Sequence, residues 1–130
     1  MEIAVGGVTP LLEVFDLPAS VAFYRDVLGF ALASGDESWW CMLRSGETTL
    51  MLNTAYERDR RPAEPEPTRV RGHGDTSLYF DADPDAVHAH LREKGWPVSE
   101  PVDTSYGMRQ VTTKDPDGFA LCFIRPTRPA

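Results

Sequence analysis

Apolar and polar positions follow one order along the chain, and then the order restarts. Residues 8–15, VTPLLEVF, alternate as a strand, with Pro10 disfavouring full pairing near its start. Asp16 stands where a helix cap is needed and Pro18 falls in the first turn. Val21, Tyr24 and Leu28 recur at helical spacing before Gly29 ends the helix. FALAS (30–34), SWWCMLR (38–44) and TTLMLNT (48–54) predict three strands, broken by turn residues at SGDES and SGE.

The second round begins at DTSLYFD (75–81). It predicts a strand with Asp75, Ser77 and Tyr79 on one face and Leu78 and Phe80 on the other. Asp83 and Pro84 open a helix over PDAVHAHLREK, closed by Gly95. WPVSE (96–100), MRQVTTKD (108–115) and FALCFIR (119–125) predict three more strands, the last two joined by a DPDG turn. Between the rounds, residues 57–72 are rich in charge and proline and lack an apolar period, which predicts a linker loop. The expected architecture is a single α+β domain over 1–130. It consists of two βαβββ repeats, 8–56 and 73–125. Each sheet has one face under its helix, and two such sheets facing each other would form a barrel-like cup.

Composition narrows the partners. A chain of 130 residues, 42% hydrophobic and 25% charged, can bury a core. No apolar run approaches the ~20 residues of a membrane span. The start, MEIAVGGVTP, has no basic region leading into a long apolar stretch, so a cytoplasmic protein is expected. A net charge of −7 argues against nucleic acid and anionic membranes and permits cationic ligands. Cys41 and Cys122 form no redox or metal motif and are expected as free thiols.

LEVFDLPASVAFYRDVLGF (12–30) and DPDGFALCF (115–123) resemble the signature segments of the glyoxalase/bleomycin-resistance group, the vicinal oxygen chelate superfamily. With the repeat, the resemblance spans residues 8 to 125. It implies the two-unit cup fold, and it implies lyases, isomerases, dioxygenases, thiol transferases or non-enzymatic drug binders without choosing among them. Metal enzymes of the family place their ligands on the first and last strands of each unit. Carried over by position, those places hold Thr9, Met51, Asp75 and Cys122. A hydroxyl, a thioether, one carboxylate and one thiol suit neither a catalytic zinc nor an oxygen-rich magnesium shell. No metal and no other cofactor is therefore expected. His73, two residues before Asp75, is the one histidine that could share its facing and rescue a metal site.

Strand alternation gives the cup a different content: Thr9, Leu11 and Glu13, then Met51 and Asn53, then Asp75, Ser77 and Tyr79, then Ala120, Cys122 and Ile124. Trp39, Trp40, Tyr56 and Tyr106 are expected around it. Adjacent Trp39 and Trp40 face opposite ways, so at most one touches ligand. The ligand-binding candidates are Thr9, Glu13, Trp39, Met51, Asn53, Asp75, Ser77, Tyr79, Tyr106, Arg109 and Cys122. This is an apolar pocket with a few polar groups, fit for a flat or cationic small molecule. The chain further resembles the bleomycin-binding branch, which is acidic, lacks the metal ligands and pairs its subunits. YGMR (106–109) matches that branch's aromatic–glycine step, with tyrosine for tryptophan.

The leading expectation is a metal-free homodimer that sequesters a small aromatic metabolite or antibiotic, one that the acidic cup permits to be cationic, and so confers antibiotic resistance. The alternatives are two. One is a metal-free isomerase, lyase or cyclase with Asp75 or Glu13 as catalytic base and Tyr79 or Tyr106 as acid. The other is a metal lyase or dioxygenase whose atypical shell includes His73.

Overall fold

The computed structural model describes residues 2–56 and 60–127. The chain divides into two compact units, Met1–Arg61 and Pro62–Ala130.

In the first unit, β1 (Leu11–Val14) leads into α1 (Leu17–Ala22), which continues as a π-helical turn over Phe23–Val27. Asp16 caps α1 by accepting the Ala19 N–H, with Pro18 in the first turn. Three strands follow: β2 (Ala31–Gly35), β3 (Trp40–Ser45) and β4 (Thr48–Thr54). Their order in the sheet is β1-β4-β3-β2, with β1 parallel to β4 and the other pairs antiparallel. The register slips between Leu32 and Ser34, and Gly35 ends β2 at φ +75°. A side chain at Gly35 would run into the backbone and ring of Trp40.

Alternation decides which face is core. Leu12, Val14, Cys41, Leu43, Leu50 and Leu52 are all buried, as are Leu17, Val21, Phe23 and Tyr24 of the helix. The residues between them, Leu11, Glu13, Trp40, Met42, Met51 and Asn53, lie on the opposite, open face.

The second unit repeats the plan. β5 (Ser77–Asp81), α3 (Pro84–Glu93), β6 (Val102–Asp103), β7 (Met108–Lys114) and β8 (Ala120–Pro126) give the sheet order β5-β8-β7-β6, with β5 parallel to β8. Val111, Leu121 and Phe123 point to the buried side, where α3 packs on β7 and β8 through Leu91. The DPDG turn is tied from within. Buried Asp115 accepts the N–H groups of Asp117 and Phe119, both at 2.9 Å, and Gly118 sits at φ +91°.

Two expected elements differ. The 57–72 stretch holds part of a helix, α2 (Pro67–Gly74), rather than loop alone; its residues 57–59 lie outside the described residues. Pro67 at a helix start and the ring of His73 docked against the DPDG turn explain α2, which buries none of its own residues. WPVSE forms no strand. Pro97 and Pro101 remove donors there, and the edge strand is the two-residue β6, just beyond. Ser99 still reaches Thr112 by two hydrogen bonds, of 2.9 and 2.8 Å.

Candidate functional site: the open sheet faces

On the first unit, side chains of the open face fall into rows across β1, β4 and β3. Glu13, Asn53 and Trp40 are register partners, so their backbones stand roughly 4.8 Å apart from strand to strand. The next row is Leu11, Met51 and Met42. Beyond it, Thr49 pairs with Arg44, and the Thr9 and Thr49 hydroxyls lie 2.7 Å apart. A carboxylate, an amide and an indole thus sit side by side, with thioethers next to them. Asn53 Oδ1 is enclosed, and among the described residues none donates a hydrogen bond to it.

On the second unit the equivalent face carries a carboxylate in an end row too, Asp81 beside Ile124 and Gln110, but no indole in that row. Tyr79, Cys122 and Thr112 form one row, and Ser77, Ala120 and Lys114 the next. Tyr79 is exposed and Cys122 is buried, with its thiol 3.7 Å from Gln110 Oε1. Burial pushes the Cys122 thiol up, which disfavours the thiolate that a nucleophile needs. Tyr106 lies at the exposed tip of the turn between β6 and β7.

Several expected site residues are placed elsewhere. Asp75 is on no strand: it is the C-cap of α2, in helical backbone conformation, two residues before β5 begins. His73 is in α2 and does not share a strand face with it. Its Nδ1 lies 2.8 Å from Asp117 Oδ2, and its ring stacks on Phe119 with centroids 4.0 Å apart. Arg109 points to the helix side of its sheet. It grips Asp85 at the start of α3 through two hydrogen bonds, of 3.0 and 2.9 Å, and Asp103 of β6 through a third of 3.0 Å. That pairing raises the Arg109 guanidinium and holds the Asp85 carboxyl below its ordinary range. Trp39 precedes β3 and is largely exposed, whereas Trp40 has the open-face position beside Asn53.

Of the adjacent tryptophans expected around the cup, Trp40 rather than the candidate Trp39 has the open-face position; Met42, Thr49 and Arg44 were not among the sequence candidates on this face, and neither were Gln110 and Thr112 on the other. Alternation along SWWCMLR and MRQVTTKD would have found all but Thr49, had the middle strands been counted with the first and last, and Thr49 follows from the same parity as Met51 and Asn53 along TTLMLNT.

The family positions for a metal do not fit one. Thr9 is engaged with Thr49, Met51 offers a thioether, Cys122 stands beside the Gln110 amide and Asp75 belongs to a helix end. Among the described residues no three His, Cys, Asp or Glu side chains group as metal ligands.

The sequence pattern of the Glyoxalase/Bleomycin resistance protein/Dioxygenase superfamily matches residues 8–123. The chain belongs to that superfamily. Among solved superfamily-like structures, TnmS3, an antibiotic binding protein from Streptomyces sp. CB03234, is 26% identical. The match covers 97% of this chain and all of that one, with a TM-score of 0.72. A bleomycin-binding protein from Streptomyces verticillus, crystallised with copper(II)-bleomycin, is 23% identical over 99% and 100% of the two chains, with a TM-score of 0.70. A lactoylglutathione lyase from Agrobacterium tumefaciens is 22% identical over 93% and 94%, also at 0.70. The last two likenesses speak to the fold alone, and binders and enzymes of the superfamily share it. No curated protein matches the chain. No helix among the described residues is long and apolar enough to cross a membrane.

Proposed function

We propose that this chain is a metal-free small-molecule-binding protein of the bleomycin-resistance type, acting in the cytoplasm as a homodimer and sequestering an aromatic, cationic ligand. The observation that carries the reading is the Glu13–Asn53–Trp40 row on an open sheet face, flanked by Met42 and Met51. A carboxylate and an indole face both favour a cation, and thioethers suit flat rings. The superfamily's metal positions, meanwhile, hold residues that make a poor ligand set. The likeness to an antibiotic binding protein at 26% identity supports the same reading. Exposed Ile3, Val5 and Val8 near the N-terminus support a covering partner subunit.

The test has two parts. Protein purified without chelator is analysed for metals and titrated with divalent ions by thermal shift; no stoichiometric metal and an unchanged melting temperature are expected. Aromatic cations are then screened in the same assay, and a rise of several degrees is expected for a true ligand. Stoichiometric metal, with turnover that depends on it, would overturn the reading. A metal-free enzyme remains the second reading. With Asp75 in a helix cap, Glu13 is its one base candidate, and chelator-resistant turnover abolished by Glu13→Gln would favour it.

A further inference from the structure

We infer that the open face of the first unit orients its ligand end to end. A protonated nitrogen sits at the Glu13–Asn53–Trp40 row, a flat apolar middle lies on Met42 and Met51, and an anionic group reaches Arg44. This rests on the small-molecule-binding reading above and gives that ligand its chemical class: an elongated aromatic amphoteric molecule.

The geometry is that of a ruler. Along β4 the open-face positions are Thr49, Met51 and Asn53, which carry the three rows in turn. Four residues of strand separate the outer rows by about 13 Å, at roughly 3.3 Å per residue. One end presents the carboxylate of Glu13 and the indole of Trp40. The other presents the guanidinium of Arg44, register partner of Thr49, beside the Thr9–Thr49 hydroxyl pair. Arg44 is exposed, and among the described residues no carboxylate pairs with it. A planar guanidinium matches a carboxylate or phosphate in two-pronged fashion.

The middle row bears no charge. Leu11, Met51 and Met42 offer apolar surface and polarisable sulfur, which suits an aromatic system rather than a sugar or peptide backbone. At the carboxylate end, Asn53 adds a second signal. Its Oδ1 is an enclosed acceptor with no donor among the described residues. The terminal amide torsion is broad, so the group can turn to meet an arriving N–H. An amidinium or ammonium supplies several such donors at once, to Asn53 and Glu13 together. A purely cationic ligand would leave the Arg44 end unsatisfied, and a purely anionic one would meet Glu13 at the other.

Three probes with one aromatic core separate the terms: 4-amidinobiphenyl, biphenyl-4-carboxylate and 4′-amidinobiphenyl-4-carboxylate. Binding is measured by calorimetry at low salt on the wild type, Glu13→Gln and Arg44→Gln. Both substituted residues are exposed, and melting curves confirm that each variant is folded. The amphoteric probe is expected to bind tightest. Glu13→Gln should weaken both amidines at least ten-fold. Arg44→Gln should weaken the amphoteric probe at least ten-fold and leave 4-amidinobiphenyl within two-fold. If the amphoteric probe binds no better than 4-amidinobiphenyl, or ignores Arg44→Gln, the end-to-end orientation is wrong while the binding-protein reading stands. If no probe binds the wild type, both fall.

Discussion

The two units share one topology and are held together differently. Of the buried apolar residues described, twelve lie in the first unit and seven, Pro84 included, in the second. In the first, α1 and its π-helical turn bury Phe23 and Tyr24 against the sheet, and rings of Phe23, Tyr24 and Phe30 meet edge to face. In the second, α3 buries little beyond Pro84 and Leu91. Polar ties take over there: Arg109 straps α3 to β6, Asp115 pins the DPDG turn, and Asp117 receives His73. Apolar packing is indifferent to salt and pH, whereas ion pairs are screened by the one and titrated by the other. The second half should therefore respond to its surroundings more strongly than the first, whose ion pairs, such as Arg25 with Asp26 and Glu37, lie at the surface rather than between elements of its core.

Four experiments can break that contrast, beginning with the largest effect. Leu52→Ala removes a fully buried side chain from the first unit and should cost about 2–5 kcal/mol in urea unfolding, at any salt concentration. Asp115→Ala strands two buried N–H groups in the second unit and should cost about 1–3 kcal/mol. Hydrogen exchange should place that loss at Asp117 and Phe119, and an equal loss in the first unit would erase the distinction. Smaller still is the Arg109 strap. Its pairing depresses the Asp85 carboxyl in the fold. The stabilisation is thus complete above the ordinary carboxylate range, near about 3.9, and fades as pH falls through the lower folded value. Exchange around α3 should quicken on acidification before exchange around α1 does, and Arg109→Gln should abolish the difference. The gentlest test is chemical. Burial raises the Cys122 thiol, so iodoacetamide at pH 8 should label it far more slowly than free cysteine. Rapid labelling would mean that the second unit opens locally.

Much of the fold was legible because alternation and punctuation agree. TTLMLNT is β4 residue for residue, and Asp16 and Asp83 both cap helices as read. The helix at Pro67–Gly74 was not legible, since it has no apolar face; what it docks against lies some forty residues further along the chain. That docking also drew Asp75 and His73 out of the strand to which simple counting assigned them. Arg109 looked like a site residue because its partners, Asp85 and Asp103, are close only once α3 and β6 are in place. The candidate site was half legible. Glu13, Met51 and Asn53 were found by parity on the outer strands, but their neighbours Trp40, Met42 and Arg44 stand on a middle strand, and only the observed register aligns them.

The parallel pairing of β1 with β4 has a consequence for synthesis. Leu11 waits for Met51, forty residues downstream, before its strand has a partner. As the chain leaves the ribosome, β3 and β4 can close their hairpin locally, while β1 stays an open edge until β4 is out. Such long-range closure is slow compared with hairpin formation. A pause in translation before residue 54 would hold the nascent chain with β1 uncovered, at the point where it is most prone to pair with a neighbour on the same message.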